Sequence, residues 1–176
     1  MKTVTNKPIL IKPSDRYRHA FLAMAAEYQQ AGESYRHHEL GQSSFAAFLE
    51  LVDNDDQGIG LPAGYAPMTH FWLVKDEAIL GESRLRHCLT PALEIEGGHI
   101  GYSIRPSQRH KGYGTLILAL TLEQARGRGL RRIRVTCDTD NLASARVIEK
   151  NSGHLSGRTI SNRSGQQIYQ YWIDLL

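Results

Sequence analysis

The chain has 176 residues, enough for one domain whose core needs no disulfide or metal staple. Its 41% hydrophobic and 22% charged residues are ordinary for a globular chain, which excludes the disordered and fibrous classes. A net charge of +3 is too small to imply a polyanion, so neither nucleic acid nor a membrane surface is an expected partner.

Two cysteines, Cys88 and Cys137, stand outside any CxxC or Cys/His spacing. They read as buried free thiols, the state a reducing cytoplasm leaves them in. The opening MKTVTNKPILIKPSD has a short apolar stretch and no small-residue cleavage site, so no signal peptide is read there. No apolar run reaches bilayer length, and a cytoplasmic location is the expectation.

In chain order, residues 9–12 predict a short strand ended by Pro13, after which Ser14 is placed to cap a helix. Phe21, Leu22, Ala25, Ala26 and Tyr28 recur at helical spacing over 16–31, and Gly32 closes that helix. Ser43 or Ser44 caps a second helix beginning FAAFLELV. The acidic DNDDQGIG after it, with Asp53, Asp55 and Asp56, and the proline-bearing GLPAGYAPM predict loops. His37 and His38 read as part of a solvated loop, because adjacent histidines on a helix or strand point apart.

The period then becomes two. Residues 70–75 and 79–89 predict a hairpin turning over 75–78, followed by a loop at 91–98 and a third strand at 99–104. Residues 115–127 predict a helix, 131–137 a strand and 141–151 a helix. Residues 154–160 and 167–175 predict two final strands. The sum is α/β (α+β): one mixed, largely antiparallel central sheet of six to seven strands flanked by helices. Arg126, Arg128, Arg131, Arg132 and Arg134 read as a solvated helix end and strand edge, without the aromatic interleaving of a nucleic-acid site.

The stretch that carries chemistry is IGYSIRPSQRHKGYGTLILAL, at 100–120. A helix N-terminus offers unpaired N–H groups and partial positive charge. Gly112 and Gly114 leave those amides uncovered, and Arg109, His110 and Lys111 add charge, so the junction suits a pyrophosphate. The Walker pattern GxxxxGK[ST] is absent. Leu116 and Ile117 follow Gly114, so the third glycine of a GxGxxG fingerprint is missing too.

Arg109-x-x-Gly112-x-Gly114 resembles the acyl-CoA pyrophosphate loop of the GNAT superfamily of acyltransferases, which lies between that family's fourth strand and the next helix. GHIGYSIRP is similar to the fourth strand. VTCDTDNLASARVIEKNSG resembles the fifth strand and following helix, with Asn141, Ser144, Arg146 and Lys150 on the family's run. The likeness extends from about His70 to the C-terminus. The GESRLRH strand and the VIEKN run are shared with a bacterial branch of predicted acetyltransferases.

The resemblance implies one GNAT-like domain over 1–176, with fourth and fifth strands that splay. Residues 10–60 would supply the acceptor-side strand and helices, and 70–176 the acyl-CoA core. It implies acetyl-CoA as donor and an unidentified primary amine as acceptor. The amine would attack the thioester directly, with no metal and no covalent enzyme intermediate. Backbone at Ser103, Ile104 and Arg105 would hold the pantetheine arm and polarise the thioester carbonyl. Arg109, His110, Lys111, Gly112, Tyr113, Gly114 and Thr115 would hold the pyrophosphate, with Asn141 and Ser144 reaching in from the next helix.

A general base helps such a reaction. His99 occupies the position where many family members carry glutamate. Glu82 is the rival base, and an ion pair with Arg84 or Arg86 is its structural alternative. The family's usual thiol-protonating tyrosine falls on Ile148, so another group serves or the thiolate leaves unaided. Other expectations stay open: an acyl-CoA-binding module or sensor without catalysis, and a homodimer, which is common in the family.

Overall fold

The computed structural model describes residues 7–176; residues 1–6, where part of the signal-peptide reading falls, lie outside the described residues. Strand β1 (Ile9–Ile11) leads through Pro13 into a single 3-10 turn, where Ser14 takes the cap position but its side chain makes no cap bond. Helix α1 (Arg18–Gln30) buries Phe21, Ala25 and Tyr28 of the predicted stripe together with Met24, while Leu22 and Ala26 are half-buried.

Helix α2 (Arg36–Ser43) stands where a solvated loop was expected. Its composition is poor for a helix, since it holds Gly41 and two histidines. Packing overrides that: a Cβ at Gly41 would lie 2.3 Å from the Phe21 ring, so only glycine lets α2 press against α1.

Helix α3 (Phe45–Gln57) begins as expected, with the Ser44 hydroxyl accepting from the Ala47 amide, and ends at left-handed Gly58. It runs on through the acidic residues read as a loop. Carboxylates near a helix C-terminus oppose its dipole. Here Asp55 pairs with His70, while Asp56 pairs with Lys12 and Arg128 and accepts from Thr69.

Strands β2 (Met68–Lys75) and β3 (Ala78–Arg86) form the expected hairpin. Asp76 and Glu77 both have positive φ, the two-residue turn that matches strand twist. A short helix α4 (Pro91–Ile95) replaces the expected loop, with the Thr90 hydroxyl as its cap and Pro91 at its first position. Strand β4 (Ile100–Ile104), helix α5 (Tyr113–Gly127), strand β5 (Arg132–Asp138) and helix α6 (Leu142–Lys150) follow, and β6 (His154–Ile160) and β7 (Gln167–Asp174) close the chain.

All ladders are antiparallel, but there are two sheets rather than one. One has the order β1-β2-β3-β4, the other β5-β7-β6. They join at the start of β4, where the His99 amide donates to the Arg134 carbonyl at 2.8 Å. From there β4 and β5 diverge, as the resemblance implied. One core lies under α5 and α6 and includes Leu85, Ile100, Leu118, Ile133, Val135 and Ile148. The other lies under α1 and α3 and includes Phe21, Tyr28, Phe48 and Trp72. Successive residues Phe71 and Trp72 of β2 serve opposite cores, as strand alternation requires.

Cys137 is buried and free, as expected; Cys88 is free but exposed, because β3 ends at Arg86 and leaves it in the bend beyond. No helix among the described residues is long and apolar enough to cross a membrane.

Candidate active site

A cavity of about 730 Å³ opens where β4 and β5 diverge, within the range of small-ligand sites. It runs from Glu33 and Tyr35, between α1 and α2, past Tyr102, Ser103 and Ile104 of β4 to Lys150 of α6. Of the residues expected to hold a cofactor, Ser103, Ile104, Arg109, His110, Gly112, Tyr113, Gly114, Thr115, Asn141 and Ser144 line it.

The start of α5 forms one wall of it. Gly112 is the N-cap at φ 83°, and no side chain caps the helix. Among the described residues, the amides of Tyr113, Gly114 and Thr115 have no hydrogen-bond partner, as a first helical turn leaves them. Nothing lies within 4 Å of where a Gly112 Cβ would stand. Gly114 is small for a different reason: its Cβ would come within 3.1 Å of Val147 on α6. Arg146 and Lys150 of α6 also line the cavity and add positive charge, though the sequence assigned them no contact.

Two expected contacts turn away. Arg105 does not line the cavity: its guanidinium donates to Glu27 at 2.6 Å, and its amide donates to the Leu80 carbonyl of β3 at 3.0 Å. By the alternation of an antiparallel ladder, the amides of Tyr102 and Ile104 then face the open edge of β4. Lys111 is also outside the lining, with its ammonium on the Ser107 carbonyl and the Gln108 side chain. Arg109 does line the cavity but is engaged. It forks onto both carboxylate oxygens of Glu33, at 2.8 and 2.7 Å, and donates through Nε to the Ile104 carbonyl at 3.0 Å. It ties the end of β4 to the α1–α2 connection.

Asn141 accepts the Ser144 amide at 3.0 Å and so caps α6. The Tyr102 hydroxyl meets the Ser144 hydroxyl at 2.8 Å, bridging β4 to α6 across the divergence. Burial pushes the Tyr102 phenol up to about 12, with the Ser144 bond acting against it. Ile148, at the tyrosine position of the resemblance, is fully buried in the core.

The two candidate bases differ in surroundings. Neither lines the cavity, and His99 is buried. Its Nδ1 accepts the Arg134 amide at 2.9 Å, so the proton sits on Nε2. Burial, with a smaller push from the Arg86 charge, lowers it to about 4. A histidine held neutral in the fold but free to charge when unfolded stabilises above its unfolded pKa and loses that contribution as pH falls from about 6.5 toward about 4. His99→Gln keeps an acceptor for Arg134 and removes the titration. Unfolding by denaturant at pH 7.5 and pH 4.5 should show the parent losing on the order of 2–3 kcal/mol more than the variant between the two.

Glu82 projects from β3 toward α2, and its partners are His37 and His38 rather than Arg84 or Arg86. His37 Nε2 lies 2.9 Å from its Oε1, and His38 Nε2 lies 3.1 Å from the same oxygen. A carboxylate only accepts, so both Nε2 atoms carry protons. Ser103 donates to Glu82 at 3.4 Å and itself accepts the Tyr28 hydroxyl at 3.0 Å. Burial pushes the Glu82 carboxyl up, but the bonds from His37 and His38 outweigh it and hold the group well below the usual carboxylate range. Arg86 instead donates to the carbonyls of Gly97 and Gly98. The histidine expectation failed because on the first turn of α2 both imidazoles are long enough to reach one carboxylate.

An uncapped helix start facing a cavity between diverging strands, with basic side chains around it, suits a phosphate-bearing ligand. The family model of the acetyltransferase (GNAT) domain matches residues 10–153, and the chain belongs to that family, so its acyl donor is acetyl-CoA. No curated protein matches it in sequence. Among solved structures it is similar to RimL, a ribosomal L7/L12 alpha-N-protein acetyltransferase in complex with coenzyme A, at TM-score 0.72 and 17% identity over 98% of this chain and 96% of that one. It is also similar to the microcin C7 self-immunity acetyltransferase MccE with acetyl-CoA and AMP, at TM-score 0.72 and 15% identity over 98% of each chain. Mycobacterium smegmatis RimJ with a CoA disulfide gives TM-score 0.70 and 17% identity over 94% of this chain and 80% of that one. At such identities these likenesses carry the fold and leave the acceptor to the site itself.

Proposed function

We propose that the protein transfers acetyl from acetyl-CoA to a primary amine that enters beside Tyr35, between α1 and α2. The observation that carries this reading is the uncapped start of α5 in a cavity whose wall includes Ser103, next to the Glu82 cluster. Acetyl-CoA supplies an activated acyl group. The amides of Tyr113, Gly114 and Thr115 would hold its pyrophosphate, with Arg146 and Lys150 adding charge. The open-edge amide of Ile104 would bond the thioester oxygen as negative charge develops there. Arg109 would shape the loop through Glu33 and the Ile104 carbonyl.

Proton removal is assigned to the Glu82 cluster rather than to His99. Two observations support this: Glu82 touches Ser103 of the cavity wall, while His99 is enclosed against β5. The test is release of CoA thiol from acetyl-CoA with spermidine, L-lysine and a tripeptide bearing a free α-amine. Amine-dependent release with one of them supports the reading. Acetyl-CoA binding with no release beyond hydrolysis from any of them would favour a sensor without catalysis.

A further inference from the structure

Glu82 is a poor proton acceptor in its own right, because two imidazole N–H groups already point at its carboxylate. What the cluster lacks in Glu82 it has in the rings around it, and the two rings are not equivalent. His38 is sealed: its side chain is 3% exposed, and its Nδ1 is buried with no partner. A proton delivered there would have no route in and nothing to bond. His37 is 13% exposed, and its Nδ1 is neither bonded among the described residues nor closed off as that of His38 is. Its ring packs beside Tyr35, which lines the cavity, at 5.7 Å between centroids.

We propose that His37 is the group that takes the proton from the acceptor ammonium, through Nδ1, and that Glu82 is a positioning residue fixing its tautomer. His38 in turn holds Glu82. The proposal rests on the amine-acetylation reading above. The steps balance as follows. His37 Nδ1 takes one proton from the ammonium. The freed amine lone pair forms the C–N bond to the thioester carbon, and the C–S bond breaks. The second nitrogen proton goes to the leaving thiolate, and His37 returns its proton to water. Such a base contributes about 10²–10⁴-fold.

The charged and titratable groups facing His37 are Glu82 and Arg84 of β3, His38 and Tyr35 of the α2 segment, and His70 of β2, which pairs with Asp55 of α3. Burial lowers His37 below the ordinary histidine range, and Glu82 works against that. His37 is therefore unprotonated at neutral pH and ready to accept.

The test is the pH profile of kcat/KM for the best amine, in the parent, His37→Gln and Glu82→Gln, with melting checked in each. Glutamine at 37 still offers Glu82 an N–H but accepts no proton there. His37→Gln should lose the acidic limb and fall about 10²–10⁴-fold at pH 7, with the gap closing at high pH, where the amine deprotonates unaided. Its stabilisation by acetyl-CoA should match the parent. Glu82→Gln should keep a limb moved to lower pH, since the imidazolium loses its carboxylate. A limb retained in His37→Gln with activity within a few-fold overturns the proposal, as does activity lost on dialysis against a chelator and restored by zinc. If acetyl-CoA binds but no amine turns over, the acetylation reading fails. The dyad is then judged by ¹⁵N NMR of the histidine rings: His37 protonated on Nε2 and titrating singly at Nδ1 supports it, and the Nδ1–H tautomer overturns it.

Discussion

Gly112→Glu is expected to fold yet show no rise in melting temperature with acetyl-CoA. Gly112 sits at φ 83°, where a residue with a Cβ costs roughly 1–2 kcal/mol. No atom lies within 4 Å of that Cβ, so there is no clash to add. A carboxylate at a helix N-terminus recovers about 0.3–1 kcal/mol from the dipole. The net loss of stability is small, and the new carboxylate stands over the amides that a phosphate needs. In the parent, acetyl-CoA at a hundredfold excess over Kd adds about 2.7 kcal/mol, or roughly 5–10 °C for a chain of this size. The variant should gain nothing within error, while Gly112→Ala should keep a reduced rise. A full rise in Gly112→Glu would mean that the phosphates bind elsewhere.

The parts legible in sequence were those whose causes are local. Gly112 and Gly114 lie two positions apart, so the loop could be read from six consecutive residues. The β2–β3 hairpin followed from alternation, and the stripe of Phe21, Ala25 and Tyr28 from helical spacing. What escaped depends on partners far along the chain. Glu82 meets His37 and His38 from 45 and 44 residues away, and neither histidine carries a local mark of that meeting. The tail of α3 is helical because Lys12 and Arg128 pair with Asp56 and His70 bonds to Asp55, partners that carboxylates reading as a loop do not announce. Arg109 shows the same limit inside a motif: the pattern located it, but its engagement with Glu33 depends on where α1 ends. The site is therefore half written in the loop and half in the packing of α2 on β3.

Gly98→Ala should be the most damaging single-methyl change near the site, by about 3 kcal/mol. Gly98 has φ 59°, and an added Cβ would lie 2.3 Å from the Arg134 carbonyl oxygen and 2.8 Å from its carbon. Both are backbone atoms, so no rotamer relieves the contact; the strands must part. They part where the two sheets join, at the bond from the His99 amide to Arg134 and beside the bond from the Gly97 amide to the Thr136 hydroxyl. The divergence of β4 from β5 starts there, so the cavity mouth should move with it. Gly129→Ala separates the causes: its φ is 83° with nothing within 4 Å of the Cβ, so it carries backbone strain without the clash. Thermal melts should show Gly98→Ala lowered by roughly 6–12 °C and Gly129→Ala by only a few degrees. Acetyl-CoA should stabilise Gly98→Ala less than the parent and Gly129→Ala to the same extent. Equal losses in the two variants would mean that the β4–β5 junction yields easily and does not set the shape of the site.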